Sequence, residues 1–144
     1  MGLYDLFFDL TRLEMRLWDH VDGALRAETD VPLGRFEALL VLQRLGPCRI
    51  LDVSRELGLT VGGTSKLIDR LETGGLCARR PNPDDRRSSL LVLTEEARVV
   101  IDRGETVVES TLQTHLGAHL SDEARRTLGA QLGSLRRAGR TART

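Results

Sequence analysis

Between Leu51 and Thr94 the spacing of apolar residues switches from helical to alternating, and this switch limits the fold more than any other feature of the chain. The stretch "LDVSRELGLTVGGTSKLIDRLETGGL" reads as a helix over 51–57, a short turn at Gly58, and a second helix over 61–73, which is a helix-turn-helix. Thr60 stands where its hydroxyl can accept an orphan backbone N–H and cap the second helix. Leu67, Ile68 and Leu71 are three and four residues apart and mark that helix's buried side. Thr64 falls partly inward, while Gly62, Gly63, Ser65, Lys66, Asp69 and Arg70 face outward. Paired glycines in a first helical turn cost roughly 1 kcal/mol each relative to Ala. The cost has a use where the backbone must come close to a ligand, and a helix N-terminus favours a phosphate.

Two segments, "LCARR" and "SLLVLT", then alternate like strands, joined by Pro81 to Ser88, a loop too long for a tight hairpin. This pair is a wing. The stretch from Arg79 to Thr94, "RRPNPDDRRSSLLVLT", holds four arginines in a chain whose formal net charge is zero. Cations concentrated on one loop of a neutral protein point to a local contact with a polyanion. Nearly all the cationic charge is arginine, and Lys66 is the sole lysine.

The flanks are helical. Leu3, Leu6, Phe7, Leu10, Leu13, Leu17, Val21 and Leu25 repeat at helical spacing over residues 3–27, and Phe8, Met15 and Trp18 widen this apolar surface. A stripe that wide needs covering from two directions, by its own domain and by a partner chain. Pro32 and Gly34 break the helix, and another spans Arg35 to Leu45. Thr94, followed by Glu95 and Glu96, starts a long helix to about His119. Ser121 caps a last one with an inner face of Ala124, Leu128, Leu132 and Leu135. The basic end, "RRAGRTART", lacks periodicity and is expected to fray. With 144 residues, 40% hydrophobic and 3% aromatic, the chain affords one aliphatic core. No apolar run approaches the roughly 20 residues that cross a bilayer, so the expectation is a cytoplasmic protein without a membrane partner.

Helix-turn-helix, two-stranded wing and long flanking helices together resemble the MarR (multiple antibiotic resistance regulator) family of winged helix-turn-helix transcription factors. Asp85, Arg87, Leu93 and Thr94 match the family's D-x-R followed by L-T, and "LIDRLETGGL" before the arginine pair matches the end of its recognition helix. The resemblance implies a mainly α fold with a small β-wing between N- and C-terminal dimerisation helices. The units would be 1–33 (dimerisation helix and linker), 34–94 (DNA-binding lobe) and 95–144 (dimerisation helices and tail). It further implies a homodimer on a pseudo-palindromic operator in double-stranded DNA, acting as a repressor relieved by a small effector, which in the family is often aromatic or phenolic. DNA contacts are expected from Thr60, Gly62, Gly63, Thr64, Ser65, Lys66, Arg70, Arg86 and Arg87, with Asp85 orienting a wing arginine. Of Arg79 and Arg80, one should reach toward phosphate while the other pairs with an acid. The effector surface implied by the family involves Met15, Trp18, Asp19, His20 and Phe36, although Trp18 serves equally well as dimer-core packing.

Other readings are weaker. Family members that sense peroxide carry a cysteine near the start of the first helix, where this chain has none. Cys48 and Cys77 would flank the second wing strand two strand spacings apart, roughly 9.6 Å, beyond the ~7 Å a disulfide spans, so both are expected to be inert thiols. His115 and His119 have i, i+4 spacing suited to a metal, but only His20 could supplement them, and no metal or other cofactor is expected. Scattered histidines, no serine beside a base and no phosphate-binding glycine loop argue against an enzyme. A constitutive or architectural DNA-binding protein without effector, or a redox- or metal-responsive member of the family, are the alternatives.

Overall fold

The computed structural model describes residues 1–141. The elements are α1 (Leu3–Thr29), α2 (Leu33–Leu45), α3 (Ile50–Leu57), α4 (Val61–Thr73), β1 (Cys77–Pro81), β2 (Ser89–Leu93), α5 (Glu95–His115), a 3-10 turn (Gly117–His119) and α6 (Asp122–Thr141). Mainly helical architecture with a two-stranded antiparallel wing is the fold the sequence led us to expect.

Local chemistry sets most boundaries. Pro32 precedes α2 and offers no side-chain cap, so the orphan N–H of Leu33 is met from a distance by Asp22 of α1, whose Oδ1 accepts it at 2.8 Å. The second carboxylate oxygen accepts from Arg26 Nε at 2.7 Å. This single side chain therefore fastens α1 to the start of the next lobe. Gly58 closes α3 in the left-handed region, φ 67°, where a side chain would be strained, and the chain turns directly into α4. Thr60 caps α4, its Oγ1 accepting the Gly63 N–H at 3.1 Å. Thr94 has two tasks: its Oγ1 accepts the Ala97 N–H at 3.2 Å, capping α5, and donates to the Gly75 carbonyl at 2.7 Å, tying α5 to the turn between α4 and β1.

The wing pairs Cys77 with Leu93 through to Pro81 with Ser89. Cys48 bridges to the opposite edge of β2, donating its N–H to the Leu91 carbonyl at 3.3 Å and accepting that of Leu91 at 2.7 Å. Cys48 and Cys77 thus flank β2, both free and buried. The core lies between α2, α4, β2 and α5, where Phe36, Leu39, Leu42, Ile68, Leu71, Leu91 and Ile101 are essentially inaccessible. Val21 and Leu25 join it from α1, which packs along α5.

Three details depart from the sequence reading. The fifth helix stops at His115, because Leu116 leaves helical geometry (φ −131°, ψ −57°), and His119 sits in the separate 3-10 turn. The i, i+4 histidine pair therefore does not share a helix face; His115 instead stacks on His20 of α1 with ring centroids 3.7 Å apart. The basic end is helical through Thr141, and residues 142–144 of the expected frayed tail lie outside the described residues. The anticipated inner face of α6 has little to pack on: Leu132 and Leu135 are 45% and 64% exposed. On α1, Leu3, Tyr4, Phe7 and Met15 are likewise uncovered.

Candidate nucleic-acid interface

The outward side of α4 carries Gly62, Gly63, Lys66 and Arg70, all exposed, with Ser65 half-buried and Thr60 exposed at the cap. A Cβ on Gly62 would meet nothing within 4 Å, so no internal contact requires glycine there. Gly63 is tighter, since a Cβ would stand 3.1 Å from the Thr60 hydroxyl that caps the helix. Thr64 is a correction. It is fully buried, and its Oγ1 donates to the Thr60 carbonyl at 2.9 Å, so its side chain packs inside the lobe and offers nothing to a ligand.

The acids of α4 are neutralised from the wing. Arg79 of β1 donates through Nη2 to Asp69 Oδ1 at 2.8 Å and through Nη1 to Glu72 Oε2 at 2.7 Å. These hydrogen bonds, that of Asp69 foremost, hold the guanidinium even more firmly in its charged form. Exposed pairs contribute little stability individually, but this fork locks the wing strand to α4. Of the two adjacent arginines, Arg79 is therefore the one engaged with acids, and Arg80 is exposed. Among the described residues, Lys66, Arg70, Arg80, Arg86 and Arg87 enter no salt bridge.

At the wing tip Asp85 does not hold a guanidinium. Its Oδ1 accepts the backbone N–H of Arg87 at 3.0 Å, and its carbonyl accepts the Ser88 N–H at 3.1 Å. Asp85 fixes the loop backbone because that N–H is the nearest donor two residues on, an Asx-turn. Arg86 and Arg87 project from this turn, both exposed. Arg87 shares a shallow cleft with Arg49, Ile50 and Leu51 at the start of α3. Arg49, just before the helix-turn-helix, pairs with Asp52 of α3 at 3.6 Å.

The clefts of the structure do not coincide with the effector surface expected from the sequence. A cleft of about 610 Å³ lies between α1, α2, α5 and α6, walled by leucines and valines with Glu14 and Glu37 as its acids. Trp18 lines it, and also a second cleft of about 420 Å³ that reaches Gly63, Lys66 and Arg70. Glu37 lies on both, and burial raises its carboxyl above the ordinary range. Met15, Asp19 and His20 line neither cleft. Phe36 is 1% exposed, packed into the core against Gly104 of α5, and cannot wall a pocket. No group of three or more metal-ligating side chains occurs among the described residues, nor is any of their helices long and apolar enough to cross a membrane.

A two-helix reader with a free cationic face, closed by a β-wing, defines a winged helix-turn-helix protein. Residues 31–89 match the MarR family. An HTH-type transcriptional regulator of Bacillus subtilis, YfiV, is 27% identical over 113 residues, 76% of this chain and 68% of its own. Among solved structures, the transcriptional repressor CouR bound to a 23-mer DNA duplex superposes with a TM-score of 0.84 at 25% identity, covering 90% of this chain and 91% of the other. BpsR of Bordetella bronchiseptica, whose DNA binding is regulated by 6-hydroxynicotinic acid, shares the fold at 22% identity with a TM-score of 0.80, over 93% and 92% of the two chains. Over residues 31–89 the chain is thus similar to the MarR family, and the relatives it matches are described as transcriptional regulators.

Proposed function

We propose that this chain is a cytoplasmic, homodimeric regulator that binds a pseudo-palindromic operator, and that it represses transcription until a small molecule binds. The observation that carries the reading is the outward face of α4, where Gly62, Gly63, Lys66 and Arg70 are exposed and the acids beside them are held by Arg79. In this arrangement α4 enters the major groove. Its glycines let the backbone approach, Lys66 and Ser65 meet base edges or phosphate, and Arg70 anchors the backbone of the duplex. Arg86 and Arg87 reach the flanking minor groove or its phosphates, where a guanidinium is favoured. Net charge can be zero because only these cations face DNA.

The units 1–33 and 95–144 would supply the dimer and 34–94 the reader. The uncovered apolar residues of α1 and α6 support this, since a second copy would bury them. Two-fold symmetry then places the two α4 helices in successive major grooves about 34 Å apart. The clefts at Trp18 and Glu37 lie between the dimer helices and the reading lobe, where a bound molecule could alter the angle between them. That BpsR answers to an aromatic acid supports an effector of similar size. The strongly apolar walls of the larger cleft favour a second reading, in which the partner's helices fill it and no ligand enters.

Selecting genomic fragments bound by the protein, then footprinting them, tests the main reading. The expected result is a two-fold pattern of half-sites about one helical turn apart, bound far more tightly than random duplex. Equal affinity for selected and random DNA would overturn it. A panel of small aromatic compounds that neither raises the melting temperature nor releases the operator would favour the ligand-free reading.

A further inference from the structure

Within the wing loop, residues 82–88, one side chain is buried: Asn82, 9% exposed, between exposed prolines at 81 and 83. A buried amide must find partners, and here it finds them across the mouth of the loop. Nδ2 donates to Ser88 Oγ at 2.9 Å, while Oδ1 accepts the Asp84 N–H at 3.0 Å. The Asn82 carbonyl accepts the Asp85 N–H at 3.3 Å, and Ser88 Oγ, having accepted from Asn82, donates to the Asp85 carbonyl at 3.3 Å. Donors and acceptors are matched around this ring.

Proline makes the clasp necessary. The last pair of the wing ladder is Pro81 with Ser89, and neither Pro81 nor Pro83 has an N–H to extend backbone pairing into the loop. A side chain has to close it, and Asn82 and Ser88 are the two posts. Arg86 and Arg87 stand on the segment between them, next to Asp85, which both posts hold by its backbone.

We propose that Asn82 is a positioning residue for DNA binding: through Ser88 and Asp85 it fixes the wing loop in the shape that presents Arg86 and Arg87, without touching DNA itself. This rests on the wing contacting DNA. Without the clasp the loop must be ordered at the moment of binding, and that ordering is subtracted from affinity.

The test measures affinity for a selected operator fragment with Asn82→Ala, Ser88→Ala, their double variant, Arg86→Ala/Arg87→Ala, and the last combined with Asn82→Ala. Melting temperature and helical content of each variant establish that it is folded. Loss of Asn82 or of Ser88 should each weaken binding about tenfold, the worth of one or two hydrogen bonds, and the Asn82/Ser88 double should lose little more than either. In the background lacking both arginines, Asn82→Ala should have no further effect. A residue that merely supported folding would weaken both backgrounds alike, and that result would overturn the proposal. Full affinity for Asn82→Ala and Ser88→Ala, with the arginine variant impaired, would also overturn it while leaving the wing contact standing. If removing both arginines has no effect, the wing reading falls first and this proposal with it.

Discussion

Gly104→Ala in the middle of α5 sets two magnitudes against each other. An interior helical glycine replaced by alanine gains roughly 1 kcal/mol from backbone entropy. Against this, a Cβ at Gly104 would stand 2.2 Å from Cε2, 2.6 Å from Cζ and 3.0 Å from Cδ2 of Phe36. Carbon pairs settle near ~3.5 Å or more, so the ring must retreat by about 1.3 Å from the 2.2 Å contact. Phe36 is 1% exposed and has no solvent to retreat into. Overpacking of this kind costs about 1–3 kcal/mol. Three ring atoms are involved, so the upper end applies, and the net expectation is about 2 kcal/mol of destabilisation.

The assay is thermal or urea unfolding at one fixed protein concentration, because the melting temperature of the proposed dimer would depend on it. At the scale of this chain the loss should lower the melting temperature by several degrees. Phe36→Leu in the same chain supplies the control: it opens space where the new methyl intrudes, so the double variant should be less destabilised than the sum of the singles. If Gly104→Ala is as stable as the parent, or gains the full alanine advantage, then α2 does not pack its ring on the backbone of α5. The joint between the reading lobe and α5 would then be wrong.

The remaining expectations concern the joint, the reader and the thiols. The Leu33 N–H, followed by Arg26, holds Asp22 below the usual carboxylate range. Its stabilisation is therefore complete above the unfolded value near ~3.9 and disappears as pH falls through the lower folded value; Asp22→Asn should flatten that part of a melting-temperature profile, and an unchanged acid limb would contradict the cap. Gly63→Glu crowds the capping hydroxyl of Thr60 and brings a carboxylate to the proposed closest approach, so operator binding should be lost with helical content retained. Normal binding by that variant would mean that the wrong face of α4 has been assigned. Burial pushes the Cys48 thiol up to about 11 and raises that of Cys77, so both should resist alkylation at pH 8 until the protein unfolds, and rapid labelling of the native state would refute this.

Features governed by neighbouring residues were legible in the sequence. Thr60, Thr94 and Ser121 cap their helices because an N-cap interaction spans only three residues. The change of period after α4 marked the wing for the same reason, while its register, Cys77 with Leu93 through Pro81 with Ser89, came from the structure. Burial in three dimensions was harder to read. Helix α2 is apolar on nearly every side, with Phe36, Ala38, Leu39, Val41 and Leu42 all buried, so periodicity could not tell a core ring at Phe36 from a pocket wall. Thr64 was ambiguous in another way: a threonine suits both a polar face and the interior once its hydroxyl bonds back to the preceding turn.

For the proposed interface, the sequence reading put the cations on the second helix and the wing but could not say which of them pair with acids. Arg79 and Arg80 point to opposite sides of a strand by pleat alone, which makes one of them a partner for acids without saying which. Asp69 and Glu72 decide it, being three residues apart on one side of α4 and both within reach of Arg79. That pairing changes what the loop's charge does. Were Asp69 free, α4 would carry an unpaired carboxylate next to Arg70, which would repel a duplex approaching on the face proposed above. With Arg79 engaged, the charge offered outward is that of Lys66, Arg70, Arg80, Arg86 and Arg87, all on α4 or the wing. The arginine cluster that opens the wing therefore has two roles at once: its first member removes negative potential from the helix, and its later members supply positive potential at the tip.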